Sequence, residues 1–541
     1  MKTSKQTKGI GFKNFRRFED FPMLKFGDIT YLVGRNNSGK STMVKAQLLM
    51  MDYLQNQLFD TFSFDSAVLE DANIVTFGRA KNNKSKSNQI EFTSAINNIE
   101  FSVIISGKDD TTKANVHSFN VIDENEGIIL EIDYLKEIIH LKRKKKRVDS
   151  DKVQLVYQLA RLTSDLRDIE DQISKLQSKV SKEYLTLKDK RNSLVNQIEK
   201  IDKAIPEQKK EEGFDFNVSY PLQFLRVGQM YEVEEGDENE DDIVLSEDTM
   251  IQEFISIILY FNEIQYKKDS EESKSNNDDT FNPDSIEVHQ NKVKLEKWAD
   301  RVSNLINSQT FHYLPANPSK QSALFALRDK NNDLAQAIHH FKQAGLDDKA
   351  ESKSFVKHWM KEFEVGEDFS IKFYAGEAYE FHIVEDGAQN HLSDKGMGSL
   401  QIMSLILKLA TILFSKKQKN RNVPTVLIEE PELNLHPELQ SKLCDFLLEV
   451  SNKNVLFLVE THSEYIIRRA QLIAIEEGFI MNEELNPNPF KVFYFHKKEG
   501  PYEMKLNSQG KFDRDFGKGF YNESGRLTLG MIKELRKNQA E

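Results

Sequence analysis

The chain has 541 residues, too many for one simple core, and its 39% hydrophobic and 30% charged residues are typical of a globular protein with exposed helices. A formal net charge of −12 excludes a wholly basic nucleic-acid coat, so any such surface must be a local patch. The single cysteine, Cys444, excludes an internal disulfide and a multi-thiolate metal site, and it favours a reducing, cytoplasmic compartment.

Membrane insertion is not expected from the sequence. The polar amino terminus, Met1 to Lys8, lacks the apolar segment of a signal peptide. The longest apolar stretch, Leu400 to Phe414, is interrupted by Lys408 and is shorter than the roughly 20 residues that span a bilayer. We therefore predict a buried core helix in that stretch and no contact with a membrane.

A phosphate-binding loop follows the first clear strand of a region rich in short strands. The compact β run Ile29 to Val33 ends at the octapeptide GRNNSGKS, residues 34–41. Glycines in this pattern allow a tight loop whose backbone N–H groups surround phosphate oxygens. Lys40 would reach the β and γ phosphates, and the Ser41 hydroxyl would ligate Mg²⁺. The pattern, with a predicted helix after it, indicates binding of ATP together with Mg²⁺.

A run of basic residues, 142–147, closes this region. Clustered Lys and Arg side chains bind nucleic-acid backbones by counterion release. Such runs are also common as solvated helix starts and loop tips. Both interpretations stay open, and we keep DNA or RNA as a candidate partner at this segment.

The middle of the chain changes character. Apolar residues from Leu155 to Val180 and from Tyr184 to Ile205 follow heptad spacing, without Gly or Pro until Pro206. This pattern predicts a coiled coil over 151–206, either as one continuous helix or as an antiparallel hairpin. We favour the hairpin because the chain must return to complete its core. Residues 207–309 then predict a helical insertion with acidic and Ser/Asn/Asp-rich loops.

Two apolar strands near the carboxyl end deliver acidic and histidine side chains to one sheet edge. The first, Val423 to Ile428, is followed by Glu429 and Glu430, at the carboxyl end where open α/β sheets place their sites. Glu429 would hold the Mg²⁺ shell, directly or through water, and Glu430 would orient and deprotonate the attacking water. The second strand, Val455 to Val459, precedes His462, which could sense the γ phosphate. An isolated pair of glutamates would indicate only a charged strand end. Because Glu429, Glu430 and His462 are all predicted at the same sheet edge, the pattern favours a catalytic site.

The order of these motifs resembles that of the ABC-type ATPases of the SMC, RecF and OLD group, especially the short bacterial AAA ATPases of that branch. The likeness covers about 1–110 and 310–541. Five segments carry the likeness. Phe12 to Arg16 resembles the opening strand of the group and Asn36 to Thr42 its P-loop. Leu392 to Gln401 resembles the signature segment, Glu429 to Pro437 the Walker B motif and D-loop, and Thr461 to Ser463 the segment with the switch histidine.

The resemblance implies an α/β fold: an ABC-type P-loop NTPase head with a β-rich N-terminal lobe and an inserted coiled-coil helical hairpin. The implied order is an N-terminal ATPase lobe with the P-loop at 1–150, the coiled-coil insertion at 151–206, the helical insertion at 207–309, a C-terminal ATPase lobe with signature, Walker B and switch histidine at 310–480, and a C-terminal extension at 481–541.

The resemblance also implies a site shared between two subunits, since in such proteins the signature of one subunit closes over the γ phosphate held by the other. The implied catalytic residues are Glu430 and His462, and the implied metal ligands are Ser41 and Glu429. No Q-loop glutamine is identified, Gln89 being a weak candidate. The implied nucleotide-binding residues are Arg16, Gly34, Asn36, Asn37, Ser38, Gly39, Lys40, Ser41, Thr42, Ser393, Gly396, Gly398 and Ser399.

Three functions stay open. We favour an ATP-hydrolysing ATPase that forms a homodimer or higher oligomer around ATP and regulates a separate effector in antiphage defence or DNA repair. The motif sequences of this chain resemble those of the ATPase subunits of Septu-type and retron-linked antiphage systems, whose partner is often an HNH nuclease. A self-sufficient OLD-type nuclease is disfavoured because the only Toprim-like acidic pair after His462, Asp513 and Asp515, lacks a preceding strand. The third is a slowly hydrolysing structural or assembly ATPase that interacts through its coiled coil.

Overall fold

The computed structural model is a mixed α/β structure, and its described residues form three β-sheets. The predicted coiled coil at 151–206 falls outside the described residues except for isolated positions, so its hairpin form stays a prediction. The structure describes residues 7–56, 60–66, 74–143, 216–222, 250–276, 283–316, 332–374, 376–415, 423–479, 486–497, 499–517 and 523–538, with isolated positions at 169, 173, 187, 188, 190–195, 322, 324–326 and 329.

In chain order the strands are β1 Lys8–Phe15, β2 Phe18–Lys25, β3 Ile29–Gly34, β4 Thr61–Ser63, β5 Gln89–Ile96, β6 Ile99–Ser106, β7 Lys113–Asp123, β8 Ile128–Asp133, β9 Ile138–Arg143, β10 Phe216–Pro221, β11 Phe311–Leu314, β12 Phe325–Ala326, β13 Asp368–Tyr374, β14 Ala378–Glu385, β15 Ala388–His391, β16 Thr425–Glu429, β17 Leu456–Glu460, β18 Phe490–His496 and β19 Gly500–Glu503. The helices are α1 Lys40–Gln55, α2 Phe77–Ala80, α3 Met250–Asn276, α4 Pro283–Gln290, α5 Lys292–Asn307, α6 Asp333–Gln343, α7 Ala350–Glu362, α8 Met397–Phe414, α9 Pro437–Asn452, α10 Glu464–Glu476 and α11 Glu523–Asn538.

The largest sheet is antiparallel and has nine strands, in the order β10-β9-β8-β7-β6-β5-β1-β2 with β4 paired to β7. Strands β5 and β6 alternate buried and half-buried or exposed residues, as expected when one face of a sheet packs on a core. Helix α1 packs against β1 and β5, and helices α3 and α5 pack on each other over the same core. The predicted β-rich region is therefore one antiparallel layer that packs against α1.

The central sheet positions the candidate site. Its order is β11-β16-β17-β3-β18-β19, and every pair is parallel except β18 with β19. Every residue of β3 and β17 is buried, as expected of parallel strands covered on both faces. Alternate residues face different cores: Leu32 and Leu458 belong to the core around α1, whereas Tyr31 and Val459 belong to the core around α6 to α10.

A small third sheet packs against the core around α6 to α10. In it β14 lies between β12 and β13, and β15 also pairs with β14. Among the described helices only α8, Met397–Phe414, is long and apolar enough to cross a membrane. Most of its residues are buried, and it packs against α6 and α7. This agrees with the core helix that the apolar stretch predicts.

Two predicted domain boundaries cut through sheets. Strand β18 lies within the predicted C-terminal extension, yet it pairs with β3 in the middle of the central sheet. Aromatic side chains favour this central position, because Phe493 and Phe495 are buried in the core around α1. Strand β10 lies within the predicted helical insertion, yet it extends the nine-stranded sheet by pairing with β9. At residues 480 and 206, therefore, strands on the two sides of the predicted boundary belong to the same sheet.

A buried lysine joins the antiparallel sheet to the central sheet. Lys8 on β1 is 2% exposed, and its Nζ donates to Thr425 Oγ1 at 2.6 Å and to the Val423 carbonyl oxygen at 3.3 Å. Its Nζ also lies 5.0 Å from the centre of the Phe311 ring. Burial lowers the pKa of Lys8 from 10.5 to about 7. The folded state therefore releases this proton near neutral pH.

We expect Lys8→Met to change how stability depends on pH. Between about pH 7 and pH 10.5 the unfolded chain binds the Lys8 proton and the folded chain does not, so wild-type stability rises with pH by up to about 1.4 kcal/mol per unit from this group. The variant lacks this rise. Its stability relative to wild type should be greatest near pH 7 and should decrease as pH increases, measured by urea unfolding.

The control for this measurement is Lys25→Met, whose side chain is exposed on β2. Its pH profile should parallel the wild-type profile. Parallel profiles for Lys8→Met and wild type would contradict the buried, deprotonating lysine.

Candidate nucleotide-binding site

The P-loop has a backbone that only glycine can adopt at two positions. Gly34 has a φ of 149°, and a Cβ there would lie 2.8 Å from the Phe495 carbonyl oxygen. Gly39 has a φ of 107°, and a Cβ there would lie 2.4 Å from the Phe18 ring. Asn37 has a φ of 59°, which asparagine tolerates better than most residues. The sequence pattern therefore corresponds to a real steric requirement on both sides of the loop.

The loop leads directly into the amino terminus of α1. The helix begins at Lys40 with Gly39 as its N-cap, so the unpaired N–H groups of its first turn and its positive dipole end lie at the loop. Lys40 Nζ donates to the carbonyl oxygens of Gly34 at 3.1 Å and Arg35 at 3.2 Å. It also lies 3.6 Å from Glu460 Oε1. Burial lowers the pKa of Lys40, and the negative charge of Glu460 opposes that shift.

Ser41 contacts Glu460 rather than the predicted metal ligand Glu429. Ser41 Oγ donates to Glu460 Oε2 at 2.6 Å. Burial raises the pKa of Glu460, although the Ser41 hydrogen bond and the Lys40 charge favour its ionised form. Glu460 therefore belongs to the centre of the site. The same rule that selects Glu429 finds it, because each residue ends a buried parallel strand.

Parallel pairing brings the ends of β16 and β17 together. Glu429 is the register partner of Glu460. Glu430 follows with a φ of 46°, and its backbone N–H donates to the Glu460 carbonyl oxygen at 2.8 Å. A left-handed conformation is uncommon for glutamate and persists where surrounding contacts enforce it, which is frequent at functional sites. The structure thus holds the predicted catalytic base in a turned-out backbone conformation beside Glu460.

His462 is brought to this same edge. Its Nε2 lies 3.5 Å from Glu430 Oε1, and its backbone N–H donates to Glu432 Oε1 at 2.6 Å. Burial, and secondly the charge of Lys40, lowers the pKa of His462 to about 4. The imidazole is therefore neutral at physiological pH, so its contact with Glu430 is not an ion pair. Burial raises the pKa of Glu432, against the hydrogen bond from His462.

Glu429 ends β16 beside Glu460, its register partner on β17. Burial raises its pKa, while a hydrogen bond from Tyr313 and the nearby charge of Lys45 oppose that shift. Its Oε1 atom is buried and has no hydrogen-bond partner among the described residues. Burial lowers the pKa of Lys45, and the charge of Arg16 adds to that shift. Arg16 thus belongs to a group of cations near Glu429, on a backbone of φ 52°.

The predicted signature segment packs against the turn that follows Glu430 in the same chain. Gln401 Nε2 donates to the Glu430 carbonyl oxygen at 3.5 Å, and Asn434 Nδ2 donates to Gln401 Oε1 at 3.2 Å. Gly398 approaches Asn434 so closely that a Cβ would lie 2.4 Å from its carbonyl oxygen. Gly396 is the N-cap of α8 and is exposed. The half-buried first turn of α8 therefore lies next to the turn that follows Glu430.

The other predicted residues have the following places. Asn36 and Asn37 are exposed at the loop tip, Ser38 and Thr42 are buried, and Ser393 and Ser399 are half-buried. Gln89 begins β5 and contacts His117 Nδ1 at 3.1 Å. Of the basic run, Lys142 pairs with Glu131 and Arg143 pairs with Glu126, and residues 144–147 fall outside the described residues.

The donor chemistry at Ser41 fits Mg²⁺. A hydroxyl and two carboxylates, from Ser41, Glu460 and Glu429, meet at the carboxyl ends of β16 and β17, and Mg²⁺ binds through oxygen ligands of these kinds. The unpartnered Oε1 of Glu429 is available to a cation directly or through water. A bound cation would also favour the ionised forms of these carboxyls, whose pKa values burial raises.

Comparisons with known proteins bear on this site. The family profile AAA_15, described as an AAA ATPase domain, matches residues 8–467. A search among curated proteins finds no significant match. The Smc head domain with an extended coiled coil from Pyrococcus furiosus, bound to the C-terminal domain of ScpA, is 11% identical with a TM-score of 0.36, and 98% of each chain is covered.

Two further solved structures are similar at lower scores. An SmcHead bound to the C-winged helix domain of ScpA is 11% identical with a TM-score of 0.30, covering 90% of this chain and 92% of that chain. The SMC head domain from Thermotoga maritima is 10% identical with a TM-score of 0.28, covering 86% and 91%.

We expect Gly398→Ala to destabilise the protein and Gly396→Ala to be tolerated. The added methyl at 398 would lie 2.4 Å from the Asn434 carbonyl oxygen, so the turn or the helix must shift, at a cost of about 1–3 kcal/mol in the free energy of unfolding. A Cβ at 396 meets nothing within 4 Å. Urea unfolding of the two variants measures the difference, and equal stabilities would contradict the close approach of α8 to this turn.

Proposed function

The chain belongs to the AAA ATPase domain family, and from that premise we propose that it binds Mg-ATP at residues 34–42 and hydrolyses ATP as an ABC-type ATPase. The observation that carries the proposal is the meeting of Lys40, Ser41, Glu430 and Glu460 at the carboxyl ends of β3, β16 and β17. That edge is where open α/β sheets bind ligands.

The P-loop would hold the triphosphate through the backbone N–H groups of Gly34 to Thr42 and the helix dipole of α1. Lys40 would exchange its contacts with the Gly34 and Arg35 carbonyl oxygens for β and γ phosphate oxygens, which favour its charged form. Mg²⁺, when bound, would neutralise phosphate charge. Ser41, Glu460 and Glu429 would hold it, in place of the Glu429 and Ser41 pair alone that the sequence suggests.

Glu430 would accept a proton from the water that attacks the γ phosphate. Its turned backbone points the residue out of the strand, and its carboxylate already lies near His462 Nε2. Because His462 is neutral, it could donate one hydrogen bond to the γ phosphate or to the attacking water without bringing a charge. The pair would thus orient one water molecule in line with the phosphate.

Dimerisation would complete the site. Residues 393–401 pack beside Glu430 and Asn434 of their own chain, and in the half-buried N-terminal turn of α8 the N–H groups of Met397 and Gly398 would be available to a phosphate. In the closed dimer, Ser393, Ser399 and this turn would cover the γ phosphate held by the other subunit.

We further propose that the dimer acts in the cytoplasm on a separate effector, such as an HNH nuclease, in antiphage defence or DNA repair. This step depends on the resemblance to Septu-type and retron-linked ATPases. The ion pairs of Lys142 and Arg143 reduce the charge available at the start of the basic run, so any DNA or RNA contact would rely on 144–147. The competing functions are a self-sufficient OLD-type nuclease and a slow structural ATPase.

Glu430→Gln should abolish ATP turnover and retain ATP binding. A lost general base costs about 10² to 10⁴-fold in rate. The amide keeps the shape of the side chain, so ATP should accumulate in a closed dimer. Turnover is measured by phosphate release, and the oligomer by size-exclusion chromatography with and without Mg-ATP.

The matched control is Glu449→Gln, a glutamate on the outer face of α9 that pairs with Lys453. It should keep wild-type turnover and oligomer state. An unchanged rate for Glu430→Gln would refute the catalytic assignment. Cleavage of nucleic acid by the purified wild-type chain would favour the OLD-type function, and negligible turnover by wild type would favour the structural ATPase.

The two carboxylates proposed for the metal shell can be separated by their Mg²⁺ dependence. Glu460→Gln and Glu429→Gln should each raise the Mg²⁺ concentration for half-maximal turnover about tenfold or more, as expected for a ligand worth at least about 1.4 kcal/mol. Glu449→Gln is again the control. If a variant has the same Mg²⁺ dependence as wild type, the substituted residue is not a ligand of the proposed Mg²⁺ shell.

A further inference from the structure

A second cluster of ligand-type side chains lies on the small third sheet, away from the strands that carry the nucleotide site. It consists of Glu380 and His382 on β14 and His391 on β15. Residues 380 and 382 share one face of β14 because side chains alternate along a strand. The two-residue turn Asp386-Gly387, with φ of 48° and 75°, sets a hairpin register in which His382 lies opposite His391.

The distances within the cluster suit a shared cation better than a hydrogen bond. Glu380 Oε1 lies 3.5 Å from Nε2 of His382 and 3.5 Å from Nε2 of His391. An N–H···O hydrogen bond is shorter, typically about 2.7–3.2 Å. Two ligands of a tetrahedral zinc ion, with bonds of about 2.0–2.1 Å, are separated by about 3.3 Å. All three ligand atoms lie within 4.8 Å of one another.

Within the described part of the chain, the ring nitrogens of the two histidines lack hydrogen-bond partners. The side chain of His382 is 10% exposed and that of Glu380 is 14% exposed. The Nδ1 atoms of His382 and His391 are both buried and have no hydrogen-bond partner among the described residues. Neither ring nitrogen of either histidine is thus in a normal hydrogen bond there, so the lone pair of each neutral imidazole is available to a cation.

The cluster also has the access and the donor types that a cation requires. His391 is 39% exposed, which gives an entry path from solvent. Two nitrogen donors and one carboxylate favour a transition metal such as Zn²⁺, whereas the all-oxygen donors at Ser41 favour Mg²⁺.

We propose that Glu380, His382 and His391 form a binding site for a divalent transition-metal ion of the Zn²⁺ type, with a fourth position open to water. The ion would link β15 to β14 immediately before the predicted signature segment, because His391 is followed by Leu392 and Ser393. Such a link would stabilise the hairpin that leads into α8.

The proposal is tested on the full chain after treatment with EDTA and without nucleotide. Zn²⁺ is titrated into wild type and into the variants His382→Gln and His391→Gln by calorimetry, and the unfolding temperature is measured with and without Zn²⁺. Wild type should bind one Zn²⁺ at this site and unfold at higher temperature when loaded. Each variant should bind it at least about 100-fold more weakly, since even second-shell changes cost about 10–100-fold.

Two control variants separate this site from other histidines. His358→Gln alters an exposed histidine on α7, and His462→Gln alters the nucleotide site, whose Glu430, Glu460 and His462 atoms also lie close together. Both should keep the Zn²⁺ site. Unfolding without Zn²⁺ reports whether each variant folds, and Glu380→Gln is an independent third variant. No Zn²⁺ binding by wild type, or unchanged affinity in His382→Gln and His391→Gln, would overturn the proposal.

Discussion

The candidate site depends on one long-range strand pairing: β3 lies between β17 and β18 in the central sheet. This single insertion of residues 29–34 between strands from the other end of the chain places the P-loop beside Glu460 and leaves Phe495 to close against Gly34. The entropy of closing the intervening chain grows slowly, by about 0.6 kcal/mol for each doubling of length. A long intervening segment therefore adds little to the cost of forming the site.

Burial sets the charge state of this site. It raises the pKa values of Glu429, Glu432 and Glu460 and lowers those of Lys40 and His462, so it favours the neutral form of every one of these groups. A triphosphate would favour protonated Lys40, and a cation beside Ser41 would favour ionised carboxylates. The ligand and the metal would each restore charges that the protein alone disfavours, so their binding is expected to be coupled.

Local sequence could predict the parts of the site that depend on local conformation. Gly34 and Gly39 follow from the turn that the loop requires, and Glu429 follows from the end of a buried strand. Glu460 obeys that same rule, and the sequence interpretation missed it by attending to His462 alone. Tyr313 carries no such signal, because its hydrogen bond to Glu429 depends on the pairing of β11 with β16.

Among strands and sheets, too, some features follow from local sequence and others from long-range pairing. The strands of the nine-stranded sheet show their alternation in sequence, but the place of β18 in the central sheet is set by pairing with β3 and not by its neighbours in the chain. The turn Asp386-Gly387 does fix a register locally, so the juxtaposition of His382 and His391 could be read from sequence once β14 was known.

The segment that leads into α8 is attached at both ends, and the two attachments differ in strength. Lys395 Nζ contacts both carboxylate oxygens of Glu385 on β14 at 2.7 Å. At the other end Gln401 reaches the Glu430 carbonyl oxygen at only 3.5 Å. Charged, two-point contacts are stronger than a single long neutral contact. We infer that movement of this segment during dimer closure would be absorbed beside Glu430, where a change in geometry acts directly on the attacking water.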